Sequence, residues 1–457
     1  MKKEHIQHLY WRAGFGINPK AMQSLLDKSR KSVVDLLFYE SSNYIPLKID
    51  TPEFDTLTFE EFNETKKIHR AYIEKSKLKV KELNHEWIHK MSFSNETLRE
   101  KMTLFWANHF VCQDRFILYI QKFNNTLRQN ALGNFKDFVK AISKEPTMID
   151  YLDLKQNRKN KPNENFAREL FELFTLGVGN YSENDIKESA KAFTGYNYNF
   201  EGDFVFNEKQ HNYDFKHVFD KAGRYDGDDI IDIVLEQKQC ARFICTKLYS
   251  YFVNSTLNQA HIEDMTDVFY SDYHIETVLK YMFTQHWFYS PEHIGTKIKS
   301  PVELIVGMSQ IVPVTFKETE QVLGIQKMLG QILLYPPNVA GWKGGKNWID
   351  SNTLMLRLKL PSALLSDGKI DTKVKGDFYD SFSKYYENRK GNTKIKASID
   401  WDVFKTNYEE VEIEDLNNYL LQSPINKGTL NYLNRLSKTS KLDYCVQLMS
   451  IPEYQMC

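Results

Sequence analysis

Apolar residues in this 457-residue chain recur at steps of three and four almost throughout, and at steps of two in one short stretch. That periodicity limits the fold more than any other feature. It asks for many amphipathic helices and leaves little chain for a sheet. Asn18-Pro19 reads as a helix cap followed by proline at the first helical position, opening a helix through Met22, Leu25 and Leu26. From about Phe59 to Met91 the spacing predicts one long charged helix with a seam at Val80, Leu83, Trp87 and Met91. Ser94 or Asn95 can cap the next, whose seam of Leu98, Met102, Phe105 and His109 sets a histidine on an apolar face.

Another helix should carry Glu164 through Leu176 and stop at Gly177 and Gly179. Ser182 and Asp185 form a capping box for a helix that Gly195 ends. Tyr196, Tyr198 and Phe200 then alternate with asparagines, Glu201-Gly202-Asp203 turns, and Phe204-Val205-Phe206 returns, which predicts a small β-hairpin near 196–206. Helices follow at 228–253, 274–287 and 299–311, and again from Trp401. The expected fold class is mainly α, a multi-helical protein with that one hairpin. We expect a single unit over 1–457: a helical part at 1–195, the hairpin and loop at 196–227, a helical part at 228–368, a polar insertion or linker at 369–398, and terminal helices at 399–457.

Sixty Lys and Arg balance sixty Asp and Glu. A chain built for nucleic-acid backbones carries a basic excess, so no nucleic-acid partner is expected. No run of eighteen apolar residues occurs, so no membrane span is expected, and no apolar segment follows the basic start. The five cysteines form no CxxC pair. A cytoplasmic protein with reduced thiols is the plain reading, with export alongside a signal-bearing partner left open.

Four segments bear on chemistry. His85-Glu86-Trp87-Ile88-His89 matches HExxH, in which two histidines one helical turn apart share zinc and the glutamate acts as base. Trp87 belongs to the apolar seam, however, so both histidines sit off its centre, and no third ligand follows at a familiar spacing. We read the match as coincidental. In the second segment, Glu164, Arg168 and Glu172 make one stripe at steps of four with Glu169 beside it, opposite Phe166, Leu170, Leu173 and Phe174. Such a stripe is either a solvated face with i,i+4 ion pairs or a polar cluster that binds a metal, a substrate or a loop. Third, His211, Lys216 and His217 follow the hairpin in a loop. Fourth, Tyr335 to Trp348 is a Pro-Pro and Gly-rich loop, either a structural clamp with Trp342 and Trp348 as packing anchors or one wall of a pocket.

Taken together, several segments resemble the family catalogued as domain of unknown function 1800. They are His8 to Gly16, Leu98 to Trp106, Asn108-His109-Phe110, Arg128 to Phe135, Glu164 to Gly177, Ala192 to Gly195, Lys299 to Glu303, and Pro336 to Trp348. The resemblance implies a bacterial, largely helical protein and supplies no reaction. Members are commonly encoded beside proteins that look like alkaline-phosphatase or sulfatase-fold enzymes, which implies such a partner. Many carry export signals, and none is expected here. The family pattern His-Asp-x-Gly-x-Lys is altered here to His211, Asn212, Asp214 and Lys216.

Two functions follow as expectations. One is a binding or accessory protein acting with such an enzyme. The other is a hydrolytic or metal-assisted enzyme with catalytic candidates His109, Glu164, Arg168, Glu169, Glu172 and His211, and binding candidates Lys216, Asn338, Trp342 and Trp348. In the second, a carboxylate or histidine is the general base and Arg168 holds an anion. The cofactor is unassigned, and a divalent metal suits these ligand types.

Overall fold

The computed structural model describes residues 1–366, 395–436, 438 and 440–457. It is mainly α, as the periodicity requires: about 61% helical, with three two-stranded sheets among the described residues. Local signals explain many helix starts. Asn18 accepts from the Ala21 N–H, and Ser182 with Asp185 completes its capping box. The expected helix from Phe59 to Met91 is two helices, Phe59–Asn63 and Lys66–Phe93. Thr65 restarts the chain by capping the Ile68 N–H. The 228–253 segment likewise divides into Gly227–Leu235 and Lys238–Phe252. Further helices that the sequence reading does not delimit include Arg30–Glu40, Ile117–Asn130, Phe135–Ser143, Gln259–Asp272, Thr319–Leu329 and Ser351–Leu365.

The hairpin at 196–206 is present, with Tyr196 opposite Phe206 and Tyr198 opposite Phe204. A second pairs Lys216–Val218 with Lys221–Gly223, where we expected only a loop. The third sheet joins Val314–Phe316 to Ala397–Ile399. Most of the expected insertion at 369–398 lies outside the described residues, but its end is thus a strand. Each sheet has strands of only three residues; the first was legible because alternation extends to Phe200 and a Gly-containing turn follows, and the other two lack that longer signal.

A cluster of buried apolar side chains runs from Ile6 to Cys457. The Lys66–Phe93 helix crosses it, burying the expected seam against the Pro301–Ile311 and Thr319–Leu329 helices. The Thr97–Ala107 helix is buried on every side from Leu98 to Trp106, not along one seam. Three charged residues, Arg99, Glu100 and Lys101, therefore lie in the interior and need partners there. The helix ends before His109, whose N–H donates to the Trp106 carbonyl. At Gly195, which ends its helix with φ +86°, an added Cβ would meet the Asn207 carbonyl oxygen at 2.6 Å.

Candidate functional site

The Glu164 helix starts as expected but does not finish as an α-helix. Asn165–Glu169 is α-helical, and Leu170–Thr175 widens into a π-helical turn. Such turns alter which carbonyls are free at a helix end. Here the freed carbonyls of Leu173 and Phe174 find side-chain donors. His109 Nε2 lies 3.0 Å from the Phe174 oxygen, and Lys247 Nζ lies 2.9 Å from the Leu173 oxygen. Lys247 Nζ is also 3.0 Å from His109 Nδ1. A carbonyl only accepts, so the His109 proton sits on Nε2 and Nδ1 accepts from lysine. Burial, then the neighbouring Lys247 charge, holds the His109 pKa well below the usual imidazole range. Burial pushes Lys247 down to about 8. A cation at this helix terminus also matches the negative end of its dipole.

The acidic stripe faces outward. Arg168 donates to Glu164 at 3.1 Å and to Glu183 at 2.8–2.9 Å, with its side chain about a third exposed. Tyr181 donates to Glu172 at 3.0 Å. Glu169 is half-buried, and burial followed by the Glu172 charge raises its pKa. His211 is buried, with Nδ1 donating to the Thr194 carbonyl at 2.8 Å. Lys216 is also buried and donates to the carbonyls of Asn212 and Asp214. Asp214 does not stand free as a carboxylate: its Oδ2 accepts from the Asn212 amide at 2.9 Å. This loop is pinned to the end of the Glu183–Ala192 helix by the Thr194 hydroxyl, which accepts from the Asn212 N–H.

Trp342 and Trp348 are buried, and Asn338 is exposed. Asn338 caps its own turn by accepting from the Ala340 N–H. Asn108 clamps the loop: its Oδ1 accepts from the Trp342 N–H at 2.7 Å, and its Nδ2 donates to the Trp342 carbonyl at 3.1 Å. Gly341 permits this approach, with φ +74° and an added Cβ only 2.2 Å from Asn108 Oδ1. Asn108 and His109 thus tie the Trp342 loop and the Glu164 helix to one point. Among the described residues, no hydrogen bond or ring contact joins His211 or Lys216 to that point. His85 contacts Glu86 at 3.2 Å, and exposed His89 packs on Phe93. No three His, Cys, Asp or Glu side chains among the described residues converge as metal ligands do.

A protein-family model described as Protein of unknown function (DUF1800) matches residues 8–456. The chain belongs to that family. No curated protein and no solved structure matches it.

Family-type segments also meet in the interior, in a network of charges that residue patterns alone did not reveal. Arg128 and Glu100, both fully buried, pair at 2.6 and 3.2 Å, and Trp87 Nε1 donates to the same carboxylate at 3.0 Å. Lys101 donates to the Gly14 carbonyl and to Glu303. Lys297 donates to Glu303 at 2.7 Å. Burial works against the Glu303 charge, but Lys101 and Lys297 hold its pKa well below the usual carboxylate range. Lys299 lies between the Trp11 and Tyr454 rings, 3.8 Å from each centroid, and burial pushes it down to about 7. Arg357 donates to the Lys299 carbonyl at 2.7 Å, and Arg12 to the His293 carbonyl at 2.6 Å. The available signal was Arg99-Glu100-Lys101 inside a helix with apolar residues on all sides, which leaves three charges no solvated face.

Proposed function

We propose that this protein is a binding or accessory protein, one folded unit whose polar motif residues hold its shape. The observation that carries this is His109: both ring nitrogens are engaged in closing the π-turn of the Glu164 helix. A general base needs a nitrogen that can reach a substrate proton, and His109 has none to offer. Arg168, His211, Lys216 and Asn108 are likewise committed to neighbours. Val205, Phe206, Tyr213 and Phe215 are exposed around the His211 loop, where the Phe206 and Tyr213 rings flank His211 within 5 Å. Exposed aromatics grouped in this way suit a protein partner. An alkaline-phosphatase or sulfatase-like enzyme is the partner we favour, on the family resemblance. The balanced charge fits a partner other than nucleic acid, and five buried free thiols fit the cytoplasm.

One observation favours the enzyme reading instead: half-buried Glu169 with its raised pKa beside Glu172, a carboxylate pair suited to general acid–base work. The two readings separate on paired variants. Under the accessory reading, the wild-type protein co-purifies with a co-expressed enzyme of that class and loses it on Tyr213→Ser with Phe215→Ser. His109→Ala lowers the melting temperature, and Glu169→Gln changes neither melting nor complex formation. Ester hydrolysis by the wild-type chain alone, abolished by Glu169→Gln without a change in melting, would overturn it.

A further inference from the structure

A cleft of about 380 Å³ opens where the Lys3–Ala13, Arg30–Glu40, Lys66–Phe93 and Pro301–Ile311 helices meet, near Gly16 and Asn407. Its lining shares no residue with the His109, Glu164, His211 or Trp342 segments. Its size falls within the range of small-molecule sites. Its lining has three chemical properties that narrow what it can hold.

First, no Lys, Arg or His lines it. A phosphate, sulfate or carboxylate would find no counter-charge there. Second, polar groups face it unused. Among the described residues, the Tyr10 hydroxyl, the Glu40 carboxylate and the Asn95 and Asn407 amides make no side-chain hydrogen bond within the protein. Asn18 uses only its oxygen, on the Ala21 N–H, which leaves its NH₂. Gln310 uses only its NH₂, on the Ser92 carbonyl, which leaves its oxygen. Third, Phe93 is 41% exposed at the edge and offers an apolar ring face.

We propose that this cleft binds a neutral, polyhydroxylated ligand, a saccharide of one or two rings. Amides and hydroxyls both donate and accept, as sugar hydroxyls do, so each can be matched by a ligand hydroxyl. The Glu40 carboxylate can accept from two adjacent hydroxyls at once. The Phe93 ring covers the apolar C–H face of a pyranose. Glu40 is the one formal charge on the lining. The reading is independent of the accessory role proposed above.

Saturation-transfer difference NMR on the full chain tests it, with glucose, N-acetylglucosamine, maltose and cellobiose as probes and tetramethylammonium as a cationic control. At least one sugar should bind with a dissociation constant near the millimolar range. Asn95→Ala and Asn407→Ala remove groups with no partner in the protein, so folding is kept. Each should weaken binding about fivefold, the size of one lost hydrogen bond of about 1 kcal/mol. Silence from all four sugars overturns the proposal, as does binding that the double variant leaves unchanged. Preferential binding of tetramethylammonium, lost in Glu40→Gln, also overturns it and makes the cleft a cation site.

Discussion

Arg128→Leu should cost about 3–5 kcal/mol of stability, the size expected when a buried ion pair loses one partner. Both members of the pair are fully excluded from solvent. In the variant, Glu100 keeps the Trp87 N–H at 3.0 Å and has Lys90 at 4.0 Å, but loses two guanidinium hydrogen bonds at 2.6 and 3.2 Å. The Asn124 side-chain oxygen loses its donor as well, while that of Asn125 loses one of two and keeps the Leu47 N–H at 2.8 Å. An unfolding entropy of roughly 2.1 cal/mol/K per residue gives about 1 kcal/mol/K for a chain of this length, so the melting temperature should fall by about 3–5 °C. Differential scanning calorimetry and urea unfolding measure both quantities. Adding Glu100→Gln to Arg128→Leu removes the stranded charge and should recover part of the loss, which a double-mutant cycle isolates. A stability change under 1 kcal/mol in Arg128→Leu would refute the argument, because the carboxylate would then be solvated or neutral at little cost.

Three further outcomes follow from the structure. Lys299 and Lys101 are depressed by burial to about 7 and about 8, so between pH 7 and about 10 the folded chain binds fewer protons than the unfolded one. Stability should therefore rise with pH across that window, and Lys299→Met should flatten the melting-temperature profile there. His109, held neutral when folded, acts at the acid end: the unfolded imidazole takes a proton below about 6.5. Stability is lost as pH falls past that point, and His109→Gln should lessen the slope in calorimetric melts. Gly341→Ala forces a Cβ onto Asn108 Oδ1 at a positive φ, and a loss of about 1–3 kcal/mol in urea titrations is expected.

How far the sequence carried differs from element to element. Ser182 with Asp185 marked its helix start correctly, because a capping box is closed by residues three apart. Thr65 broke the long charged helix at a point where the flanking residues keep helical periodicity, so pattern alone joined the two pieces. The strands at 216–223 and 314–316 lack the longer alternation and Gly-containing turn that mark the hairpin at 196–206, and the partner of 314–316 is remote in sequence. At the candidate site, the Glu164 to Arg168 pairing was legible as an i,i+4 stripe. Its second partner, Glu183, belongs to the next helix and is brought there only by packing.

Helix caps, the apolar seam at Val80, Leu83, Trp87 and Met91, and the hairpin at 196–206 were determined by the sequence itself, since each depends on residues within a few positions of one another. Tertiary structure alone decided the fate of the charges. A helical wheel says which residues share a face, but not whether a second helix covers the opposite one. Arg99, Glu100 and Lys101 sit on a helix covered on all sides, while Arg168 and Glu183 stay at the surface. Lys247 reaches His109 from 138 residues away and thereby sets its tautomer and charge. Burial and the distances between segments remote in sequence govern ionisation, and both come into being only when the helices pack.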